Sequence, residues 1–283
     1  MNFKLKALVA AVVLSAAATS ANAAIDLNAG NSEFAFSAWD SVAGVGYTYD
    51  LNWSKFLNDM VGIDQAATAT GNATLLANAK VASSMIGANG VIFDDVLTGF
   101  NLANSSNVQW NLAAVDTSSG RTRMLTTQGD TFDAAFTSTS NQAKSAATAF
   151  SLYTSGSNGK VTVPGTDTFA NTIQADGSAY AGVAGNNWNG NVADTTNVMG
   201  GTSFMSFLAQ STQASSSQAG LQQQLFSFDN KAIVAKTYLQ DGAWRLQVAA
   251  VQAVPEPETN AMFLAGLGLM GFIARRRRNS LTK

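Results

Sequence analysis

The sequence predicts a mainly β fold: a β-sandwich-like antiparallel domain with helical insertions, followed by a single C-terminal membrane-anchoring helix. Three stretches carry this prediction, because apolar and polar residues alternate in each of them and a turn signal divides each in two. They are residues 34–53, 108–127 and 232–248. The two ends of the 283-residue chain differ in composition from the rest, which divides it into segments 1–23, 24–253 and 254–283.

The first stretch predicts a hairpin with one aromatic face. Phe34 and Phe36 alternate with small residues, and residues 41–46 have the composition of a turn. Beyond the turn the same face continues with Tyr47, Tyr49, Leu51 and Trp53. Aromatic residues dominate core burial more often than they form sugar-stacking surfaces, so we predict that this face is buried.

Two further hairpins are predicted later in the chain. In residues 108–127, Trp110 and Leu112 alternate with polar neighbours, and residues 116–120 reverse the chain. In residues 232–248, Asp241-Gly242 is a strong signal for a tight two-residue turn. After this turn we expect Trp244, Leu246 and Val248 on one face of the strand, and Arg245 and Gln247 on the other.

Helices and loops are expected between the hairpins. Helices are predicted at residues 54–60 and 64–86, and one or two helices are predicted at residues 130–153. Asp130 and Asp133 are predicted to cap the last of these and to complement its dipole. Residues 155–201 are rich in Gly, Asn, Ser and Thr, which predicts long loops or a flexible lobe.

The first 23 residues have the three parts of a secretory signal peptide. Two lysines precede an apolar run, residues 7–14, and the segment ends in Ala21-Asn22-Ala23. A basic region, an apolar region and a small-x-small site in this order predict cleavage by signal peptidase. We therefore predict that the chain is exported and that cleavage occurs between Ala23 and Ala24.

The charge of the central segment excludes one class of partner. The whole chain has 16 basic and 18 acidic residues, of which seven and two respectively lie in segments 1–23 and 254–283. The remaining 9 basic and 16 acidic residues give a net charge of −7. Nucleic-acid binding needs basic patches, so we predict no nucleic-acid partner.

The composition also excludes several catalytic chemistries. The chain contains neither histidine nor cysteine. The commonest general base, the thiol nucleophile and the usual zinc ligands are therefore missing, although an all-oxygen calcium site stays open. We predict that the protein is not an enzyme and has no cofactor, and that core packing stabilises it without disulfides.

Carboxylates leave an enzymatic alternative open. Asp94 and Asp95 follow a predicted strand at residues 91–93, and adjacent residues of a strand point to opposite faces. A turn is therefore the expected use of this pair. The alternative is a secreted hydrolase that works through carboxylates such as Asp94, Asp95, Asp130 or Asp133, and it requires two carboxyl groups facing each other across a cleft. A further alternative is a carbohydrate-binding module with exposed Tyr or Trp.

The C-terminal segment has three parts. Pro255, Glu256 and Pro257 form an extended peptide, because each proline fixes its own φ and disfavours helix at the residue before it. Residues 261–274 are uncharged, and this run is shorter than the roughly 20 apolar residues of a relaxed membrane span. The next four residues are Arg275, Arg276, Arg277 and Arg278. Such a cluster acts as a cytoplasmic stop.

This combination resembles the PEP-CTERM sorting domain of Gram-negative bacteria. Pro255, Glu256 and Pro257 match the family's motif, residues 261–274 its hydrophobic helix and the four arginines its stop. In that family an exosortase, a membrane-embedded transpeptidase, is taken to read the motif. The resemblance implies an exosortase as partner, a transient inner-membrane anchor that faces the periplasm, and a final position at the cell surface or outside the cell.

The function predicted from these observations is that of an exported cell-surface or extracellular-matrix protein. We expect a structural or interaction role in a biofilm layer, with exopolysaccharide as a candidate partner.

Overall fold

The structure is a computed structural model of the chain. It describes residues 25, 33–53, 80–102, 106–117, 122–129, 138–161, 168–190, 192, 195–210, 217 and 220–251. All of them lie in Met1–Val251, the larger of the two units into which the chain divides. The predicted signal peptide, the predicted helix at residues 54–60 and the segment 254–283 lie outside the described residues.

Thirteen strands form the main secondary structure of the described part of the chain. They are β1 (Ala35–Asp40), β2 (Val45–Asp50), β3 (Lys80–Val81), β4 (Val91–Val96), β5 (Val108–Asp116), β6 (Arg123–Thr127), β7 (Phe169–Ile173), β8 (Asn197–Val198), β9 (Thr202–Ala209), β10 (Leu221–Gln224), β11 (Phe226–Ser227), β12 (Ala232–Gln240) and β13 (Ala243–Val251). The helices are α1 (Ser140–Asn158), α2 (Asn187–Gly190) and 3-10 turns at Ser83–Met85, Ala88–Gly90, Gln174–Ala179 and Ala181–Asn186. The prediction of a mainly β fold is confirmed.

The thirteen strands belong to one hydrogen-bonded sheet. Its main path runs β3-β11-β12-β9-β6-β5-β1-β2-β7. Strand β10 pairs with β9, β8 pairs with β5, and β13 pairs with both β12 and β4. The short strands β3 and β11 pair in parallel. The sheet is therefore mixed, which corrects the prediction of a wholly antiparallel domain.

The three predicted hairpins are present. Strand β1 pairs with β2, β5 with β6, and β12 with β13. In the last hairpin Asp241 and Gly242 have φ angles of 51° and 79°. A two-residue turn of this kind needs both residues in the left-handed region, which glycine enters without strain and aspartate tolerates.

One face of the sheet forms an aromatic core. The fully buried side chains on this face include Phe36, Trp110, Leu125, Phe207 and Leu246. The sheet curls on itself, which brings β2 and β4 close together. The ring of Trp53, just after β2, lies 5.1 Å from that of Phe93 in β4, and the ring of Tyr47 in β2 lies 5.1 Å from that of Phe100, just after β4. The aromatic face of the first hairpin is core, as predicted. The layers that face each other are parts of one curled sheet, and the sandwich prediction is corrected to this extent.

Helix α1 covers the opposite face of the sheet. Its buried side includes Ala143, Ala146, Ala147, Phe150 and Tyr153. Residues spaced three or four apart lie on one helix face, and the alanines let the helix approach the strands closely. The helix begins with a capping box: Gln142 N donates to Thr139 Oγ1 at 3.2 Å, and Thr139 N donates to Gln142 Oε1 at 2.8 Å.

The prediction of long loops across residues 155–201 is wrong where the structure describes them. Residues 155–158 continue α1, Phe169–Ile173 forms β7, and the buried Trp188 ring lies 5.4 Å from Phe150. Glycines here serve close packing. A Cβ on Gly185 would lie 2.4 Å from the ring of Trp39, and one on Gly156 would lie 2.9 Å from backbone.

Two predicted helices are also corrected. Residues 64–79 lie outside the described residues, but Lys80–Val81 forms strand β3 because it pairs with β11. One or two helices are predicted at residues 130–153: a helix is present there, but it runs from Ser140 to Asn158, five residues further than predicted, and residues 130–137 lie outside the described part.

Candidate functional site

Most of the predicted site residues lie outside the described residues. These are Ala23, Ala24, Asp130, Asp133, Pro255, Glu256, Pro257, Arg275, Arg276, Arg277 and Arg278. The assignment of the sorting motif therefore depends on the sequence. The structure does place the other two predicted residues, Asp94 and Asp95.

Asp94 and Asp95 lie within strand β4, which corrects the prediction of a turn. Asp94 pairs in register with Gln247 of β13 and Asp95 with Leu246. The predicted divergence of the two side chains is confirmed, because Asp95 accepts a hydrogen bond from Tyr49 of the inner face at 2.9 Å, whereas Asp94 contacts residues of the outer face. The two carboxylates therefore do not share a site.

Asp94 is the centre of a polar cluster on the outer face of β4, β12 and β13. Its carboxylate accepts hydrogen bonds from Tyr238 Oη at 2.7 Å, Arg245 Nε at 2.8 Å and Gln247 Nε2 at 2.6 Å. These four residues form the Asp94 cluster. The Lys236 ammonium lies 5.1 Å from the centre of the Tyr238 ring, which is within the range of a cation–π contact.

The electrostatics of the Asp94 cluster stabilise its ion pair. Burial raises the pKa of the Tyr238 hydroxyl, and its hydrogen bond to Asp94 raises the pKa further. Burial lowers the pKa of Arg245, but the hydrogen bonds with Asp94 and Tyr238 outweigh this effect and raise the pKa above its ordinary value. The Asp94 carboxylate accepts hydrogen bonds from side chains of β12 and β13 and thereby links three strands.

A second ion pair lies at the end of the β5–β6 hairpin. Arg123 Nη2 donates to Asp116 Oδ2, and both side chains are 0% exposed. Burial lowers the pKa of Arg123 to about 10, so the guanidinium stays charged at neutral pH. Strand alternation places this pair on the inner face, beside Ala114 and Leu125.

Sequence reasoning missed the partners of Asp94. Arg245 and Gln247 were expected on a common strand face, because they are two residues apart. The sequence contains no signal that joins β13 to β4, since the two strands are about 150 residues apart along the chain. Within the described residues, no group of three or more acidic side chains is placed to hold a metal ion.

Comparison with known proteins found a match for the C-terminal segment. Residues 253–278 match the PEP-CTERM protein-sorting motif. No curated protein and no solved structure matches the chain. No helix among the described residues is both long and apolar enough to cross a membrane. The motif is consistent with an exosortase substrate, and it implies an exported protein with a membrane-anchored sorting signal.

Proposed function

We propose that this exported, exosortase-sorted protein has a non-catalytic structural or interaction role at the cell surface or in an extracellular layer. The observation that carries the proposal is the arrangement of Asp94 and Asp95. Asp94 accepts hydrogen bonds from three side chains, and Asp95 faces the opposite side of β4 and accepts one from Tyr49. A hydrolase needs two carboxyl groups facing each other across a cleft, and this pair does not supply them.

Binding of polysaccharide through a row of exposed aromatic rings receives no support from the structure. All five Trp and all five Tyr of the chain lie in the described residues. None of the ten side chains is exposed, and the half-buried Trp53 and Trp244 pack against the inner core. If exopolysaccharide is the partner, its binding therefore does not use a row of exposed Trp or Tyr rings.

The sorting route follows from the order of the three parts of the tail. Signal peptidase would cleave after Ala23 while residues 261–274 hold the chain in the inner membrane, with the four arginines in the cytoplasm. The exosortase would then read the extended peptide at Pro255, Glu256 and Pro257. Release to the outside would therefore require this peptide.

The test is fractionation of cells that express Pro255→Ala/Pro257→Ala. Loss of both prolines lets helix extend backwards from residue 261, which removes the extended shape of the motif. We expect the variant to remain in the inner membrane. Pro164→Ala changes the third proline of the chain and should be sorted like the wild type. Release of the double variant at the wild-type mass and amount would contradict the sorting route.

A further inference from the structure

We propose that the pocket between α1 and the end of the β6–β9 pair binds a small ligand that carries a carboxylate or phosphate group. The pocket has a volume of about 310 Å³, and its walls include Thr122, Lys144, Thr148, Ser151 and Gln210. This volume is at the lower end of the range for ligand sites, roughly 300–1,000 Å³, and suits a single sugar-sized molecule. The proposal is independent of the sorting route and of the role proposed above.

Gln210 provides the first argument. It directly follows β9, and only 2% of the residue is exposed. Its Oε1 accepts a hydrogen bond from Thr122 N at 2.7 Å, and its backbone N donates to Thr122 O at 2.9 Å. The backbone bond fixes the position of the residue, and the bond from Thr122 N fixes which end of the side-chain amide is the oxygen.

The same arrangement leaves Gln210 Nε2 as a buried donor with no acceptor in the described part of the chain. Buried side-chain donors nearly always have a partner, so an orphaned amide in a pocket wall indicates a missing acceptor. Strand alternation places Gln210 on the same face as Leu208, the face that α1 covers. Because Gln210 also lines the pocket, a ligand in the pocket is the candidate acceptor that a small movement of the amide would reach.

Helix α1 supplies the positive charge. Lys144, Thr148 and Ser151 are spaced four and three residues apart, so they form one stripe along the helix. Lys144 makes no ion pair with any described residue, and the described residues of the pocket wall include no carboxylate. The nearby Asp116–Arg123 pair is on the opposite face of the sheet and is neutral as a unit.

The two hydroxyl groups of the stripe complete the ligand chemistry. Thr148 Oγ1 donates to Lys144 O at 3.0 Å, and Ser151 Oγ donates to Ala147 O at 2.9 Å. Since their protons are used within the helix, these oxygens offer acceptors. A cation, an amide donor and two hydroxyl acceptors match an oxyanion on a molecule that also carries hydroxyl groups.

The experiment is calorimetric titration of the purified full chain with three probes. D-glucuronate and inorganic phosphate carry the two candidate anions, and methyl glucoside is the neutral comparison. We expect one of the anions to bind and methyl glucoside to bind more weakly. Tighter binding of glucuronate assigns a carboxylate ligand, and tighter binding of phosphate assigns a phosphate ligand.

Two variants locate the binding. Lys144→Gln keeps the length of the side chain but removes its charge, and it should weaken anion binding roughly tenfold, the effect of one charged hydrogen bond. Gln210→Glu keeps the acceptor for Thr122 and replaces the donor by a second acceptor, so it should abolish binding. Lys231→Gln makes the same charge change near the β11–β12 turn and should leave binding unchanged.

Three outcomes overturn the proposal. The first is that no probe binds, in which case a water molecule satisfies Gln210. The second is that anion binding is the same in Lys144→Gln as in the wild type. The third is that Lys231→Gln weakens binding as much as Lys144→Gln does. Because Lys144 is on the exposed side of α1, that variant should fold, so the test does not depend on the stability of Gln210→Glu.

Discussion

Two regions of the sheet use the same pair of residue types in different surroundings. At the end of the β5–β6 hairpin, Asp116 and Arg123 are both 0% exposed. In the Asp94 cluster, the side chains of Arg245 and Asp94 are 26% and 25% exposed. Solvent does not reach the side chains of the inner pair, whereas it still reaches those of the outer pair.

This difference predicts different energetic roles. Two charges without water depend on each other, because removal of one takes away an attraction that offsets the desolvation of the other. Charges that water reaches keep much of their solvation when the partner is removed, and their attraction is screened. The inner pair should therefore be sensitive to a single substitution, and the outer cluster should tolerate one.

The largest expected effect is that of Arg123→Met. This change leaves Asp116 buried without its cation, and it should lower the free energy of unfolding by about 3–5 kcal/mol. Urea titration of the purified chain, followed by tryptophan fluorescence, measures the change. Asp116→Leu/Arg123→Met removes both charges and should be more stable than the single variant. Equal losses in the two proteins would show that the charge pair is not the cause.

The next largest effect is a difference in how the inner core and the Asp94 cluster respond to alkaline pH. Burial raises the pKa of Tyr47 well above its ordinary value of 10.0, with smaller contributions from Tyr49 and Asp95. Above pH 10 the unfolded chain loses a proton that the folded chain retains, so stability falls as pH rises. Below pH 10, Tyr47 does not contribute to the pH dependence of stability.

Tyr47→Phe should flatten the alkaline fall more than Tyr238→Phe does. Tyr238 belongs to the half-exposed Asp94 cluster, where burial also raises the pKa. Melting temperatures measured from pH 8 to pH 11 compare the two variants with the wild type. Equal flattening by both would contradict the difference in burial.

A smaller effect is expected for Asp94→Asn. The substitution keeps the shape of the side chain but removes the charge that Arg245 contacts at 2.8 Å. We expect a loss of about 1 kcal/mol, since a charged hydrogen bond contributes about 1.5–3 kcal/mol when buried and less where water screens it. The same urea titration measures it, and 1 M salt should reduce the difference. A loss as large as that of Arg123→Met would contradict the predicted difference between the buried pair and the Asp94 cluster.

The smallest effect is expected at an exposed pair. Hydrogen bonds from Lys160 Nζ and from the backbone N of Ile173 lower the pKa of Asp176. Its contribution to stability is therefore present above the ordinary pKa of 3.8 and is lost as pH falls below that value. Asp176→Asn should be indistinguishable from the wild type in melting temperature at neutral pH and high salt. A clear loss under those conditions would show that the ion pair contributes more than exposed pairs usually do.

The accuracy of the sequence prediction varied with the range of the contacts. The β12–β13 hairpin was predicted because Asp241-Gly242 and the alternation around it are local signals. The link of Asp94 to Arg245 was not, because it depends on the pairing of β4 with β13 across about 150 residues. The same holds for β3, whose two residues become a strand only by pairing with β11.

Glycine composition was the least reliable signal. In residues 155–201 it indicated loops, but Gly156 and Gly185 lie against backbone and the Trp39 ring, where any side chain would clash. A glycine used for close packing and a glycine used for a turn look the same in a sequence. Only the neighbours decide which use applies.

The sequence by itself determined the sorting signal and the local β structure. A sorting peptide is read as a linear segment by another protein, so the order of its residues is sufficient to recognise it, and residues 253–278 match the motif. Hairpins are likewise specified by neighbouring residues. Only the tertiary structure decided that Asp94 and Asp95 lie on different faces, that Asp116 and Arg123 are buried together, and that Gln210 Nε2 has no acceptor among the described residues. Each of these depends on contacts between distant segments, and such contacts form only when the sheet assembles.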